Sequence, residues 1–277
     1  ILTIVSLFIG VSQLSLIDIF HLSDEQMNIL FSSRIPRTVS ILLSGSSLAL
    51  SGLIMQQMMQ NKFVSPTTAG TMEWAKLGIL MSLLFFPNGH ILIKLLFTVV
   101  LSIVGTFLFV QLINLIRVKD VIFVPLLGIM IGGILSSFTT FVALRTNALQ
   151  SIGNWLTGNF AVITSGRFEV LYLTIPLLIL AFVFANHFTI AGMGKDFSHN
   201  LGVSYEKIIK IALFITATLT ALVVVTVGTL PFLGLIVPNI ISIYRGDHLK
   251  NALPHTLMLG AIFVLIADII GRIIVYP

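Results

Sequence analysis

The stretch that decides the fold runs from Gly192 to Lys210: G-M-G-K-D-F-S-H-N-L-G-V-S-Y-E-K-I-I-K. It is the most sustained polar island in a chain otherwise made of long apolar runs, and apolar segments of spanning length lie on both sides of it. It is therefore an internal connector. A polar, glycine-punctuated connector between membrane helices belongs outside the bilayer, where residues 193–207 are expected to form a short helical region. A region in that position is a handle for another subunit to push.

Composition supports the membrane reading. Of 277 residues, 57% are hydrophobic and 9% charged, with mean hydropathy +1.09. A soluble domain carries roughly 25% charged residues, so this chain lacks the charge to cover a water-facing surface. One spanning helix takes about 20 apolar residues, and about nine such spans fit in a single transmembrane domain covering the whole chain. The absence of cysteine removes thiolate metal sites and cysteine nucleophiles. The net charge of +5 suits basic residues flanking spans in a lipid bilayer, and nothing points to nucleic acid. Because the chain opens inside an apolar run at Ile1 and stops at Pro277 just after a helix, both ends are expected to be truncated.

Outward from the island, the spans follow in order. Ile1 to Ile17 is a first span, and a polar connection through His21 and Asp24 leads to Arg34-Ile35-Pro36-Arg37. There the proline marks a helix start, since a first-turn proline loses no intrahelical bond. The helix from Thr38 to Met59 is rich in small residues, with Gly45 and Ala49, and Ser47 and Ser51, at small-xxx-small spacing. Lipid offers no hydrophobic drive between helices, so close backbone approach holds them together and this helix belongs inside the bundle. Asn61 to Pro66 breaks it. A third span from Thr67 to Phe86 carries Glu73 and Lys76 on one face, and the expense of intramembrane charge predicts that the two pair. Spans from Ile91 to Ile116 and from Val121 to Leu144 are joined by a loop with Arg117, Lys119 and Asp120, and the latter contains Gly128-x-x-x-Gly132, a close-packing signal. Thr146 to Arg167 is too polar for a span and reads as a short helix at a membrane face, with Trp155 as interface anchor. Spans from Phe168 to Phe188 and from Ile208 to Val227 flank the island. Next comes G-T-L-P-F-L-G-L-I-V-P-N, where Gly228, Pro231, Gly234 and Pro238 interrupt an apolar stretch, and Leu253 to Val275 is the last span.

Two small-residue helices are thus each followed by a Gly/Pro-broken segment. Paired interruptions of this kind point to a transport pathway between repeated halves. Asn61, Phe63, Gly228, Pro231, Gly234 and Pro238 are the candidate gate and pathway residues. If the island is cytoplasmic, slightly more of the Lys and Arg residues fall inside than outside, a thin positive-inside bias. No nucleotide-binding G-x4-G-K-[ST], H-E-x-x-H or G-x-S-x-G occurs, so any ATP is bound by a different chain. The six histidines show no ligand spacing, and Met55, Met58 and Met59 read as packing rather than a thioether stripe. No cofactor is expected. An ion-coupled secondary transporter using Glu73 is the alternative to an ATP-driven one.

Four motifs in order resemble a known family. R-I-P-R with L-S-G-S-S-L-A-L-S-G, then S-H-N-L-G-V, then G-T-L-P-F-L-G-L-I-V-P-N, then A-D-I-I-G-R are similar to signatures of the iron-siderophore and vitamin B12 permeases (FecCD/BtuC-like) of bacterial ABC importers. The resemblance implies an all-α helical bundle of about ten transmembrane helices in the bacterial cytoplasmic membrane, one of which would lie beyond Pro277. Its implied partners are cytoplasmic ATPase subunits, an extracytoplasmic siderophore-binding protein and a second permease subunit, identical or related. It places the island on the cytoplasmic side, with Gly194, Lys195, Asp196, Ser198, Asn200, Leu201 and Gly202 as the ATPase-coupling residues. Arg34, Arg37 and Arg272 would face outward to receive acidic residues of the binding protein. Three departures stand out, one being Thr71-Met72-Glu73-Trp74-Ala75-Lys76, where most of the family has a small-residue run. The family's N-P-L-A gate motif reads Asn61-Lys62-Phe63-Val64 here, and its P-H reads Pro238-Asn239. The run from Asn61 to Gly78 resembles permeases for iron complexes of catecholate-type siderophores.

Overall fold

The computed structural model describes residues 2–8, 24–116, 121–164 and 166–275. His21, the loop of Arg117, Lys119 and Asp120, and the later part of the first expected span fall outside them. The described residues form an all-α bundle: α1 Leu2–Phe8, α2 Asp24–Ile29, α3 Ile35–Met58, α4 Thr71–Phe85, α5 Ile91–Leu115, α6 Phe123–Arg145, α7 Leu149–Leu156, α8 Thr174–Ala191, α9 Lys195–Asn200, α10 Tyr205–Thr226, α11 Leu233–Arg245 and α12 Leu249–Val275.

Five helical segments have the length and hydropathy to cross a membrane, and the segment from Phe168 to Ala191 is a sixth, bent by 60°. Two of them form the interior: the most apolar windows of Gln26–Met58 and Tyr205–Thr226 are each 78% buried, against 22–28% for α5, α6 and α12. The helices α4 and α11, with 15 and 13 residues, reach only about 20 Å at 1.5 Å per residue. Each follows one of the two broken segments.

The interior position of α3 comes from its missing side chains. A Cβ added to Gly45 would lie 2.5 Å from Gly260 O on α12, and one on Gly52 would lie 2.6 Å from Gly234 Cα on α11. The backbones of three helices therefore meet where a methyl group cannot fit. Hydroxyls along α3 return to the backbone, Ser44 Oγ donating to Ser40 O and Ser51 Oγ to Ser47 O, while Ser46 Oγ crosses to Leu257 O on α12. Gly128 also packs closely, against the Thr68–Gly70 segment and the Phe109 ring of α5: its Cβ would lie 3.0 Å from Ala69 Cα and 2.8 Å from Phe109 Cε2.

Two expectations are corrected by the structure. The helix containing Arg34 does not start there. It begins at Asp24 and passes through a π-turn, Leu30–Arg34, before α3. A widened turn accommodates the ring of Pro36, which cannot donate to Ser32 O. Nor do Gly234 and Pro238 interrupt the chain, since both lie inside α11. Pro238 frees the carbonyl four residues back, Gly234 O, and that oxygen is the one resting against Gly52. The real break is earlier, at Gly228 (φ +99°) and Phe232 (φ +63°). Trp155, the expected interface anchor, is half-buried, with Arg167 Cζ 4.1 Å and Lys94 Nζ 5.5 Å from its ring centroid. Cation–π attraction there fastens α7 to α5 and to the turn before α8.

The glycine contacts carry a testable consequence. Gly52→Ala forces a methyl into the Gly234 backbone and should destabilise the fold by about 1–3 kcal/mol. Gly133→Ala, on α6 with open space around it, should leave stability unchanged or slightly raised. Thermal unfolding of the purified protein in detergent distinguishes the two.

Candidate functional site

The expected functional residues gather at the two ends of α3. This 24-residue helix is about 36 Å long at 1.5 Å per residue. At its N-terminal end, Arg37 donates to Asp268 Oδ1 on α12 through Nε at 3.1 Å and Nη2 at 2.6 Å. Arg272, one helical turn after Asp268, pairs with Oδ2 at 2.6 Å and donates to the Ser6 carbonyl at 2.9 Å and the Ser6 hydroxyl. Arg34 donates to Leu7 O at 2.5 Å. The three arginines thus tie α1, α3 and α12 together, Arg37 and Arg272 through one carboxylate and Arg34 through the Leu7 carbonyl. The Asp268 side chain is only 5% exposed, with Arg37 at 22% and Arg272 at 11%. Asp268 was legible in the A-D-I-I-G-R motif but unassigned. Its place four residues before Arg272 on a helix was the available signal.

Beside this cluster lies a cavity of about 520 Å³, lined by Arg37, Asp268, Arg272, Phe160, Pro231 and Phe263 among others. Pro231 thus joins the arginines. Its segment is irregular backbone between two apolar helices, of the kind tolerated in a membrane only within protein or at a cavity, and neighbouring backbone pairs part of it. Thr229 N and Oγ1 donate to Leu156 O, and Asn159 N donates to Val227 O. Gly158 and Gly228 make this pairing possible, because a Cβ on either would strike the other segment within 2.6–2.8 Å.

At the other end of α3, residues 59–70 fold on their own side chains. Asn61 Oδ1 accepts from Phe63 N, its Nδ2 donates to Val121 O at 2.8 Å, and Thr68 Oγ1 donates to Phe63 O. Asn61 is buried, while Phe63 is exposed. The polar island packs beside them. Gly194 (φ +107°) opens α9, and Gly202 (φ +71°) follows its end. There Gly202 N donates to His199 O and Val203 N to Ser198 O, the bonds of a Schellman stop. Lys195, Asp196, Asn200, Leu201 and Gly202 are exposed. Ser198 turns inward instead, fully buried and donating to Gly194 O and Ile190 O. Lys62 pairs with Asp247 at 3.3 Å. The hydrogen bond from Ser242, with Lys62 nearby, holds the Asp247 carboxyl below its ordinary value against a smaller opposing effect of burial.

Between the two ends, Glu73 and Lys76 pair at 2.6 Å within α4, both about one-fifth exposed. The match to the FecCD transport family covers residues 1–277. The chain belongs to this family. It is 54% identical over its full length to the petrobactin import system permease YclN of Bacillus subtilis (strain 168), covering 88% of that protein. Over 277 residues it is 38% identical to the petrobactin import permease FatD of Bacillus anthracis, covering 81% of it. It is 36% identical to the ferric-anguibactin permease FatD of Vibrio anguillarum, covering 98% of this chain and 87% of that one. Its fold matches a solved ABC transporter of metal-chelate type, at 23% identity and TM-score 0.82, over 99% of this chain and 87% of the other.

As a FecCD permease the chain is a multi-pass protein of the bacterial plasma membrane and is not an enzyme. It works with ATPase subunits, a substrate-binding protein and a second permease. The ion-coupled alternative for Glu73 loses its ground, and the Glu73–Lys76 contact is the expected neutralising pair.

Removing the carboxylate at the centre of the arginine cluster should be costly. Asp268→Ala leaves poorly solvated cations without their counter-charge, a loss of about 3–5 kcal/mol for a buried pair broken on one side. Asp268→Glu, which keeps the charge, should lose distinctly less. Comparison of their thermal unfolding with the wild type checks this.

Proposed function

We propose that this chain carries a ferric siderophore of the petrobactin kind across the bacterial plasma membrane by ATP-driven alternating access. The single observation carrying this reading is the full-length 54% identity to a petrobactin import permease. The distribution of chemistry along α3 supports it.

At the arginine end, Arg37 and Arg272 share the Asp268 carboxylate and line an open cavity. That surface suits acidic residues of an extracytoplasmic binding protein, and the adjoining cavity suits the entry of its cargo. Arginine is apt because its fork is always charged and takes a carboxylate bidentately. Docking there chiefly orients the partner and speeds encounter. At the opposite end α9 presents Lys195, Asp196, Asn200 and Leu201 to the ATPase subunits. The inward Ser198 holds the helix in place without touching them. ATP-driven closure of the ATPases moves α9, and the broken segment at Asn61 and Phe63 gates the cytoplasmic exit.

Reconstitution of the permeases, ATPases and binding protein in proteoliposomes tests this. Ferric petrobactin bound to its binding protein should stimulate ATP hydrolysis and accumulate inside. Leu201→Asp should abolish co-purification of the ATPase, with thermal unfolding of the isolated permease unchanged. Uptake without ATP would overturn the mechanism. Retained ATPase binding in Leu201→Asp would overturn the assignment of α9.

A further inference from the structure

Two of the positions at which this chain departs from its family's motifs, Lys62 and Asn239, meet in the structure. Asn239 Nδ2 donates to Lys62 O at 2.9 Å and to Leu235 O at 2.8 Å, so both of its amide hydrogens are engaged. Lys62 Nζ reaches back to the same helix, donating to Ser242 Oγ at 2.7 Å, while Ser242 Oγ donates to Asp247 Oδ1. The Lys62 ammonium lies 3.3 Å from that carboxylate. A proline at 62 could not make the side-chain half of this contact. One residue is thus held through its carbonyl and its ammonium, by two successive turns of α11 and the loop that follows.

The preceding residues reach the opposite way. Gln60 (φ +50°) turns the chain out of α3, and its Nε2 donates to Gly192 O at 2.8 Å, at the turn leading into α9. That turn fits closely: a Cβ on Gly192 would lie 2.7 Å from Gln57 Cδ, and one on Gly194 would lie 3.4 Å from Gln60 Nε2. Between these anchors Asn61 is tied to Val121 beside α6. A cavity of about 260 Å³ lies among Gln56, Gln60, Lys62, Gly192, Ser242 and Asp247. The segment therefore sits on a partly hollow, polar bed, which leaves room for it to shift as a unit.

We propose that Lys62 and Asn239 form a clasp fixing the gate segment to α11, and that Gln60 links this clasp to the α9 turn. On the reading of α9 as the ATPase contact, displacement of α9 pulls Gly192 and Gln60, and the clasp passes that pull to α11. Gly234 of α11 is backed directly onto Gly52 of α3, so α11 cannot slide freely. It responds by tilting its clasped end, and the exit opens or closes with it. Lys62 and Asn239 are positioning residues in this scheme. They touch no cargo and no nucleotide.

Two readouts test the clasp and the link separately. In the isolated permease, hydrogen–deuterium exchange of residues 61–64 should quicken at least threefold in Lys62→Met and in Asp247→Asn. The charge swap, Lys62→Asp with Asp247→Lys, should return it to within about 1.5-fold of wild type. Unchanged exchange in the single variants overturns the clasp. In the reconstituted complex, Lys62→Met and Gln60→Leu should lower cargo transported per ATP at least threefold, with ATPase co-purification and basal hydrolysis retained. The swap should restore coupling to the Lys62 site. Quickened exchange with an unchanged transport-to-ATP ratio overturns the link to α9. If the unmodified complex shows no ATP-dependent uptake, the transport reading itself falls and the link falls with it, while the exchange result still decides the clasp.

Discussion

The bundle depends on backbone touching backbone along α3. Water drives apolar surfaces together in soluble proteins, but lipid is as apolar as leucine, so helices in a bilayer associate through close packing and polar contacts. Here Gly45 meets Gly260 and Gly52 meets Gly234, which sets α3 against α12 and α11 with almost no freedom in spacing. The Gly52 contact uses a carbonyl that Pro238 has released from the α11 ladder. Proline and glycine are thus two halves of one joint: one exposes the oxygen, and the other leaves space for it.

A rod held this closely carries register between its ends. Arg37 meets Asp268, and some 20 residues later Gln60 meets Gly192. Both irregular segments flanking short helices are stitched by side chains or by neighbouring backbone. Asn61 and Thr68 serve one, while Thr229 and Asn159 serve the other. Irregular backbone can then lie within the membrane zone without orphaned donors. The broken segments are stable enough to hold a shape, and they lack the continuous ladder that would make them stiff. This combination suits gates at the two ends of a pathway.

The architecture was largely legible from residues because membrane physics leaves few choices. Small-residue spacing placed α3 inside, the cost of intramembrane charge paired Glu73 with Lys76, and the polar island emerged as a short helix between glycines. What stayed hidden depended on partners distant in the chain. Pro238 reads as a breaker until Gly52 supplies a place for its released carbonyl. Trp155 reads as an interface anchor, and its contacts with Lys94 and Arg167 appear only in the fold. Lys62 and Asn239 read as unrelated departures, 177 residues apart, and only their contact gives either a reason. Ser198 has the polarity of a surface residue, and its burial follows from the helix phase set by Gly194.

The arginine cluster shows why structural and docking roles need not compete. Asp268 holds Arg37 and Arg272 and thereby fixes α3 to α12, one carboxylate being shared by two guanidinium groups. The pairing that builds the fold therefore also holds these side chains in fixed orientations. In the proposed docking, a carboxylate arriving from a binding protein would find the guanidinium groups already oriented, so little side-chain entropy would be lost. Surface arginines held by nothing would offer the same charge without that advantage.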